Sequence, residues 1–408
     1  MIFYVIYTLL VAMLIVNASP LFTPIFDAIG VADGFRTVII QISAVGVSGL
    51  VVMINRRPHP FLKEVTQVIL IWLPFVAYLA MRTNFDDHYA ATKFWKIVLI
   101  PIVSAVTVTA MYLVGGEKFN KCFIFTLVSI SLLQLFEALN NPAVFLYGGK
   151  IERLTIDEVN PIWLARSFVT AAILCLSLPI TKFRLAKIVL IFVLITAVLP
   201  TGSRGPLIAA VLGFCLFLWQ YSRKKPYFGV KVVGMFSVAL VVLLVSLPYI
   251  EAPLANYMDR DSEKGAFQES GRAMLFSKAW TEFRDSPVFG QGVGNFSRDP
   301  YPKSFRIGNQ EGYYPHNLIL EIMCELGTVG LAFFVIAMRP GKHYWHINNI
   351  YQILFIVSFI FAMTSGSIAA NGGVLVFGVL ARLAYKYNLE ILAIEKNAGG
   401  GRSVGDKI

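Results

Sequence analysis

Long apolar runs separated by short polar punctuation set the pattern of this chain. Runs of about 15 to 23 residues recur at 2–17, 35–54, 66–81, 94–114, 122–138, 161–179, 184–200, 204–220, 229–249, 316–338, 350–369 and 372–386. A helix of that length spans the ~30 Å of hydrocarbon in a bilayer. The pattern therefore predicts an all-α, polytopic integral membrane protein with about 12 transmembrane helices. The first run has neither a basic leader nor a small-residue cleavage site, so it reads as a signal anchor.

One segment interrupts the rhythm. Residues 250–315 form a long polar stretch between the ninth and tenth runs, and loops of that length usually have a function. The chain thus divides into nine spans over 1–249, a large loop over 250–315, three spans over 316–386 and a tail over 387–408 whose glycine-rich end predicts disorder. Within the loop, "SGRAMLFSKAWTEFRDSP" predicts a helix near 271–285, capped by Ser270 and stopped by Pro287. Phe276, Ala279 and Phe283 share one face of it, and Arg272 lies four residues before Phe276 on the same face. Such a helix suits either the membrane interface or the protein body. Gly290, Gly292 and Gly294 follow. They fit turn geometry better than a phosphate cradle, because no strand–turn–helix unit surrounds them.

Composition agrees with the bilayer: 57% of residues are hydrophobic and 14% are charged, which excludes an ordinary soluble domain. The net charge of +11 suggests nucleic acid until its distribution is read. With the N-terminus inside, the short cytoplasmic loops and the tail hold most of the basic residues, from Arg56 and Arg57 to Arg402 and Lys407. The short outer loops hold only Arg82, Lys93, Lys96, Lys150 and Arg153. That is the positive-inside rule, and it places both termini in the cytoplasm. Cys122, Cys175, Cys215 and Cys324 all fall within apolar runs, with no metal-ligand spacing among them.

The same parity places the candidate chemistry. In "TGSRGPLIAA", Arg204 stands at the outer end of the eighth span, with Pro206 suited to the first helical turn. A guanidinium beside free helix N–H groups makes an anion site, though an arginine there can also be an interfacial anchor. In "YYPHNLILEIMCELGTVGL", His316 and Asn317 stand at the outer end of the tenth span, after Tyr314. An imidazole can take a proton from a hydroxyl near neutral pH, or simply sit in the aromatic belt. Asn317, Glu321 and Glu325 follow one helical face, where carboxylates can orient the histidine, bind sugar hydroxyls or serve as structural partners. Gly327 and Gly330 suit close helix packing. Arg204, Arg272 and His316 thus fall on the outer side of the membrane, and two arginines with a histidine match the needs of a reaction on a diphosphate-linked substrate. The outer loop carries one Asp-x-Asp, at Asp259 and Asp261, but the chain has no His-x-x-x-His, and a metal-independent mechanism without cofactors is expected.

Three stretches together, "TGSRGPLIAAVLG", "GRAMLFSKAWTEFRDSPVFGQGVGNF" and "PHNLILEIMCELGTVGL", resemble the O-antigen polymerase and O-antigen ligase superfamily of bacterial membrane glycosyltransferases, over roughly residues 185 to 340. The resemblance implies a GT-C-like fold in the bacterial inner membrane. It implies an undecaprenyl-diphosphate-linked oligosaccharide or polysaccharide donor processed at the periplasmic face, with a glycan or lipid A–core as acceptor and a chain-length regulator as a further partner. It implies His316 as base and Arg204 and Arg272 as diphosphate ligands, with Tyr314, Asn317 and Glu321 as substrate-binding neighbours. Lys278 and Trp280 receive no role from it. Polymerase and ligase share this chemistry. The polar turn "TSGSIAANGG" before the last span resembles the polymerases more, which makes polymerase the first reading and ligase the alternative. A lipid-linked glycan transporter is the reading from another class, but such proteins place their polar groups near the midplane.

Overall fold

The structure is a computed structural model that describes residues 1–16, 19–31, 33–55, 59–140, 154, 156, 160–178, 184–222, 265–297, 314–338 and 349–384. It is all-α. The helices are α1 (Ile2–Ile15), α2 (Thr23–Ala28), α3 (Asp33–Asn55), α4 (His59–Met81), α5 (His88–Ile97), α6 (Ser104–Asn140), α7 (Pro161–Ser177), α8 (Arg184–Thr196), α9 (Arg204–Ser222), α10 (Gly265–Asp285), α11 (Leu318–Met338), α12 (Ile350–Thr364) and α13 (Gly372–Ala384). Five stretches are long and apolar enough to cross a membrane: 36–55, 63–81, 88–140, 184–201 and 318–338; five shorter apolar helices accompany them. Every expected span falls on helix except 229–249, which lies outside the described residues, as does the tail.

Residues 88–140 form a single 53-residue stretch, yet they fold back on themselves. A turn of π-helix over Val98–Val103 joins α5 to α6, and inside α6 Gly116 adopts φ 52° and ψ −126°, outside helical space. Two consecutive residues of α1 reveal the result. Tyr7 donates to Thr107 Oγ1 at 2.8 Å, and Thr8 pairs with Thr126 through their hydroxyls at 2.9 Å. A straight helix would separate positions 107 and 126 by roughly 28 Å. The chain therefore reverses at Gly115–Gly116, and both arms of α6 lie against α1. This matches the separation of the expected spans 94–114 and 122–138.

Asparagine and aspartate caps start several helices: Asp87 accepts from Tyr89 N, Asn160 from Ile162 N, and Asn349 from Tyr351 N. A capping side chain satisfies an N–H that the helix itself cannot. Asn349 also donates to Ala381 O at 3.1 Å, tying the start of α12 to the end of α13. The two helices thus run antiparallel.

Two large apolar cores result among the described residues, with smaller clusters beside them. One gathers α1, α3, α6, α7, α9 and parts of α12 and α13 around Phe119, Phe123 and Phe168. The other gathers α4, α5, α11 and the outer parts of α12 and α13 around Trp72, Phe75 and Phe334. Between helices, hydroxyls and amides bond directly, as in Ser131–Ser167 at 2.7 Å and Ser167 to Gln134 at 2.5 Å. Such bonds hold helices together where the surroundings offer no hydrophobic drive.

The loop helix departs from expectation. α10 begins at Gly265, so Ser270 lies inside it rather than capping it, and it ends at Asp285 just before Pro287. Its buried stripe is Leu275 and Ala279, packed on Phe296 and on Leu320 and Cys324 of α11. Phe276 and Phe283 are only half-buried. Packing on α11 rotates the inner face by about one residue from the 276/279/283 stripe.

Candidate functional site

α11 is a broken helix, and its break organises the site. Gly327 has φ 67° and ψ −166°, which ends the helical ladder nine residues after it began. The freed groups are taken up by the glycine-rich segment that follows α10. Gln291 N donates to Cys324 O at 2.8 Å and Gly292 N to Glu325 O at 2.9 Å, while Thr328 N and Val329 N donate to Pro287 O and Val288 O. Tyr78 of α4 donates to Leu326 O at 3.0 Å, and Arg82 Nη2 donates to Gly290 O at 2.7 Å. Gly290, Gly292 and Gly294 all have positive φ, so the glycine cluster is turn geometry, as expected. Gly327 does more than permit close packing: a Cβ there would strike the Val288 carbonyl.

One turn before the break lies a buried charge cluster. Lys93 Nζ of α5 sits 2.6 Å from Glu321 Oε1 and 2.7 Å from Glu325 Oε1. The three residues are 6%, 0% and 1% exposed. Glu321 also accepts from Ile368 N at 2.9 Å. It is thus enclosed, fixing α11 to α5 and to the turn between α12 and α13, and it presents no oxygen to an open surface where a sugar could bind.

That turn, residues 363–371, is the seat on which the other site elements converge. Asn317 accepts from Leu320 N at 3.0 Å, capping α11, and donates to Met363 O at 3.3 Å. The next residue, Thr364, touches the start of α9: a Cβ at Gly205 would lie 2.6 Å from Thr364 Oγ1. The residue after Arg204 thus packs against Thr364, the neighbour of the Met363 carbonyl that Asn317 reaches. Arg204 is exposed, at the first position of α9, after a left-handed turn at Gly202 with φ 62°. His316 is the single non-glycine residue with positive φ among the described residues, at 56°. Backbone strain of that kind collects at functional positions. Its ring packs on Tyr314 with centroids 4.4 Å apart. Arg272 belongs to the first half of α10; its side chain lies outside the described residues.

A buried arginine completes the end of the molecule. Arg166 of α7 is 5% exposed. Its Nη2 donates to Phe361 O at 2.5 Å and Ser365 O at 2.7 Å, and its Nη1 donates to Asn371 Oδ1 at 3.0 Å. It stacks over Trp163 at 4.3 Å and lies 5.3 Å from the Phe361 ring. Tyr314 is within its electrostatic reach.

Residues 188–335 match the family described as O-antigen ligase. This stretch resembles the O-antigen ligase and polymerase family. No curated protein matches the chain. The match is the mark of ligase- or polymerase-type membrane enzymes of surface polysaccharide assembly. The matched stretch contributes Arg204, Arg272, His316, Asn317, Glu321, Glu325 and the glycine-rich segment. The remainder of the site comes from outside it: Arg82, Lys93, Arg166 and the turn at 363–371. Sequence reasoning gives the three side chains no place in the site: Lys93 and Arg82 read as outer-loop charges and Arg166 is not singled out, while the turn draws notice only as a polymerase-like feature. A lone arginine within a spanning segment is the signal that could have found Arg166.

Proposed function

We propose that this protein is a glycosyltransferase with about twelve crossings and a GT-C-like arrangement, set in the bacterial inner membrane with both termini cytoplasmic. On this reading residues 250–315 are periplasmic. The enzyme moves a glycan from undecaprenyl diphosphate to a sugar hydroxyl. His316 takes the proton of the acceptor hydroxyl as its oxygen attacks the anomeric carbon. The bond from that carbon to the diphosphate oxygen breaks, and the diphosphate leaves on its lipid with one negative charge more than it had in the donor, stabilised by Arg204 and Arg272. No metal is needed for either half. Asn317 and Glu321 position the histidine, with Glu321 acting through the helix rather than by touching sugar, and Tyr314 forms the wall beside it.

The observation that carries this reading is that Asn317, next to His316, bonds the Met363 carbonyl while Gly205, next to Arg204, packs against the adjoining Thr364. The broken α11 supports it over transport. In transporters the freed backbone groups of such helices face the cargo; here the amides and carbonyls on both sides of Gly327 are bonded to the segment at 287–292. Polymerase remains our first reading, from the polar turn at 364–373. Ligase is the second, favoured by the description of the matched family.

The test is a surface-glycan gel from a strain lacking the gene, complemented at matched expression with wild type, His316→Ala, Arg204→Ala or Arg272→Ala. Core bearing a single repeat unit in the variants is the polymerase outcome. Bare core with long glycan held on the carrier lipid is the ligase outcome. Normal ladders from all three variants would remove these residues from the mechanism.

A further inference from the structure

Arg166 is a buried cation whose partners among the described residues are all neutral. Two backbone carbonyls and one amide oxygen accept from it, and two aromatic rings flank it. Its Nε is buried with no acceptor among the described residues, and no described carboxylate pairs with it. Buried charges are normally compensated by an opposite charge, because neutral dipoles alone seldom repay the loss of water. Arg166 lines a shallow open cleft. Trp163, Thr170, Ser358, Asn371 and Phe377 line it too. The cleft adjoins the 363–371 turn that seats Asn317 and the start of α9, so it lies at the same end of the molecule as the candidate site.

We propose that Arg166 is a further anion-binding arginine, which takes a phosphoryl group of a membrane-borne ligand into this cleft as its missing counter-charge. Cation, hydroxyls and the amide of Asn371 supply the polar contacts, and the Trp163 and Phe377 walls suit the apolar remainder of a lipid. Two ligands carry that chemistry: the diphosphate of a lipid-linked glycan, and the phosphate of an anionic phospholipid headgroup. The first rests on the glycosyl-transfer reading above; the second does not.

The whole chain, reconstituted in phosphatidylcholine nanodiscs, is titrated with inorganic pyrophosphate while thermal unfolding and tryptophan fluorescence are followed. A parallel set contains phosphatidylglycerol. Wild type is expected to gain a saturable rise in melting temperature. Arg166→Gln should weaken that response roughly tenfold or more, the worth of one charge-assisted hydrogen bond. The deciding variant is Thr170→Asp, which sets a carboxylate four residues after Arg166 on the same helix face. If the cation lacks a counter-charge, this variant melts at or above wild type without ligand and no longer responds to pyrophosphate. If Arg166 is only a clamp, the variant melts well below both wild type and Thr170→Asn, and Arg166→Gln keeps the wild-type pyrophosphate response; either result overturns the proposal. A wild-type shift with phosphatidylglycerol but none with pyrophosphate assigns the anion to a headgroup. No response to either overturns the proposal too. The binding result stands apart from the glycan ladder, so failure of the glycosyl-transfer reading would not decide it.

Discussion

Gly30 and Gly290 share one backbone conformation in opposite surroundings. Their φ values are 71° and 70°, a region that costs other residues about 1–2 kcal/mol. At Gly30 an added Cβ meets nothing within 4 Å, whereas at Gly290 it would run into the Glu325 carbonyl and the Leu326 amide at the break in α11. Gly30→Ala should therefore cost only the conformational term, about 1–2 kcal/mol. Gly290→Ala should cost clearly more, because the loop must leave α11 and strand the Cys324 and Glu325 carbonyls. Thermal unfolding of the two variants side by side measures the difference; equal melting temperatures would show that the loop does not need to sit where it does. Arg166 and Gly327 mark the limit of sequence reading at this scale. A glycine three residues before another reads the same whether it lets helices approach or breaks one. What chooses between them here is a segment some 40 residues away in the chain.

Lys93 joins elements rather than residues. It is the link between α5 and α11, and through Glu321 it reaches the turn before α13. Lys93→Met would leave two carboxylates buried with no cation, at a cost of about 3–5 kcal/mol. Adding Glu321→Gln and Glu325→Gln to it should recover most of that loss, since apolar or neutral replacements of a buried ion cluster are often tolerated. Chemical or thermal unfolding of the single and triple variants tests this, and a triple variant no better than the single would mean that the cluster is not one unit. Helix positions were legible from apolar period and length alone, to within a few residues. The face of α10 was not, because overlapping stripes at 275/279 and 276/279/283 satisfy the same period. Contact with Leu320 and Cys324 decided in favour of the first. Glu321 was found, but its oxygens were free to be assigned to sugar until Lys93 arrived from the other half of the chain.

At the scale of the whole molecule, the stretch that matches the O-antigen ligase family supplies the residues that resemblance singles out, and the preceding and following helices supply the frame that sets them. Asn317 and Gly205, the residue after Arg204, both pack on the end of α12, which lies outside the matched stretch. The reversal at Gly116 is part of that frame and can be tested directly. Cysteine pairs at 7/107 and at 8/126 should each cross-link on oxidation in a background lacking the native cysteines, because both pairs are in hydrogen-bonding contact. A straight 53-residue rod could bring only one of the two pairs together. The reversal also bears on how the protein is made. Only the short polar stretch 115–121, with its exposed Glu117–Lys121 ion pair, connects the arms. The two arms are therefore close neighbours as soon as both have emerged, and a closed helical hairpin against α1 is the form in which they pair.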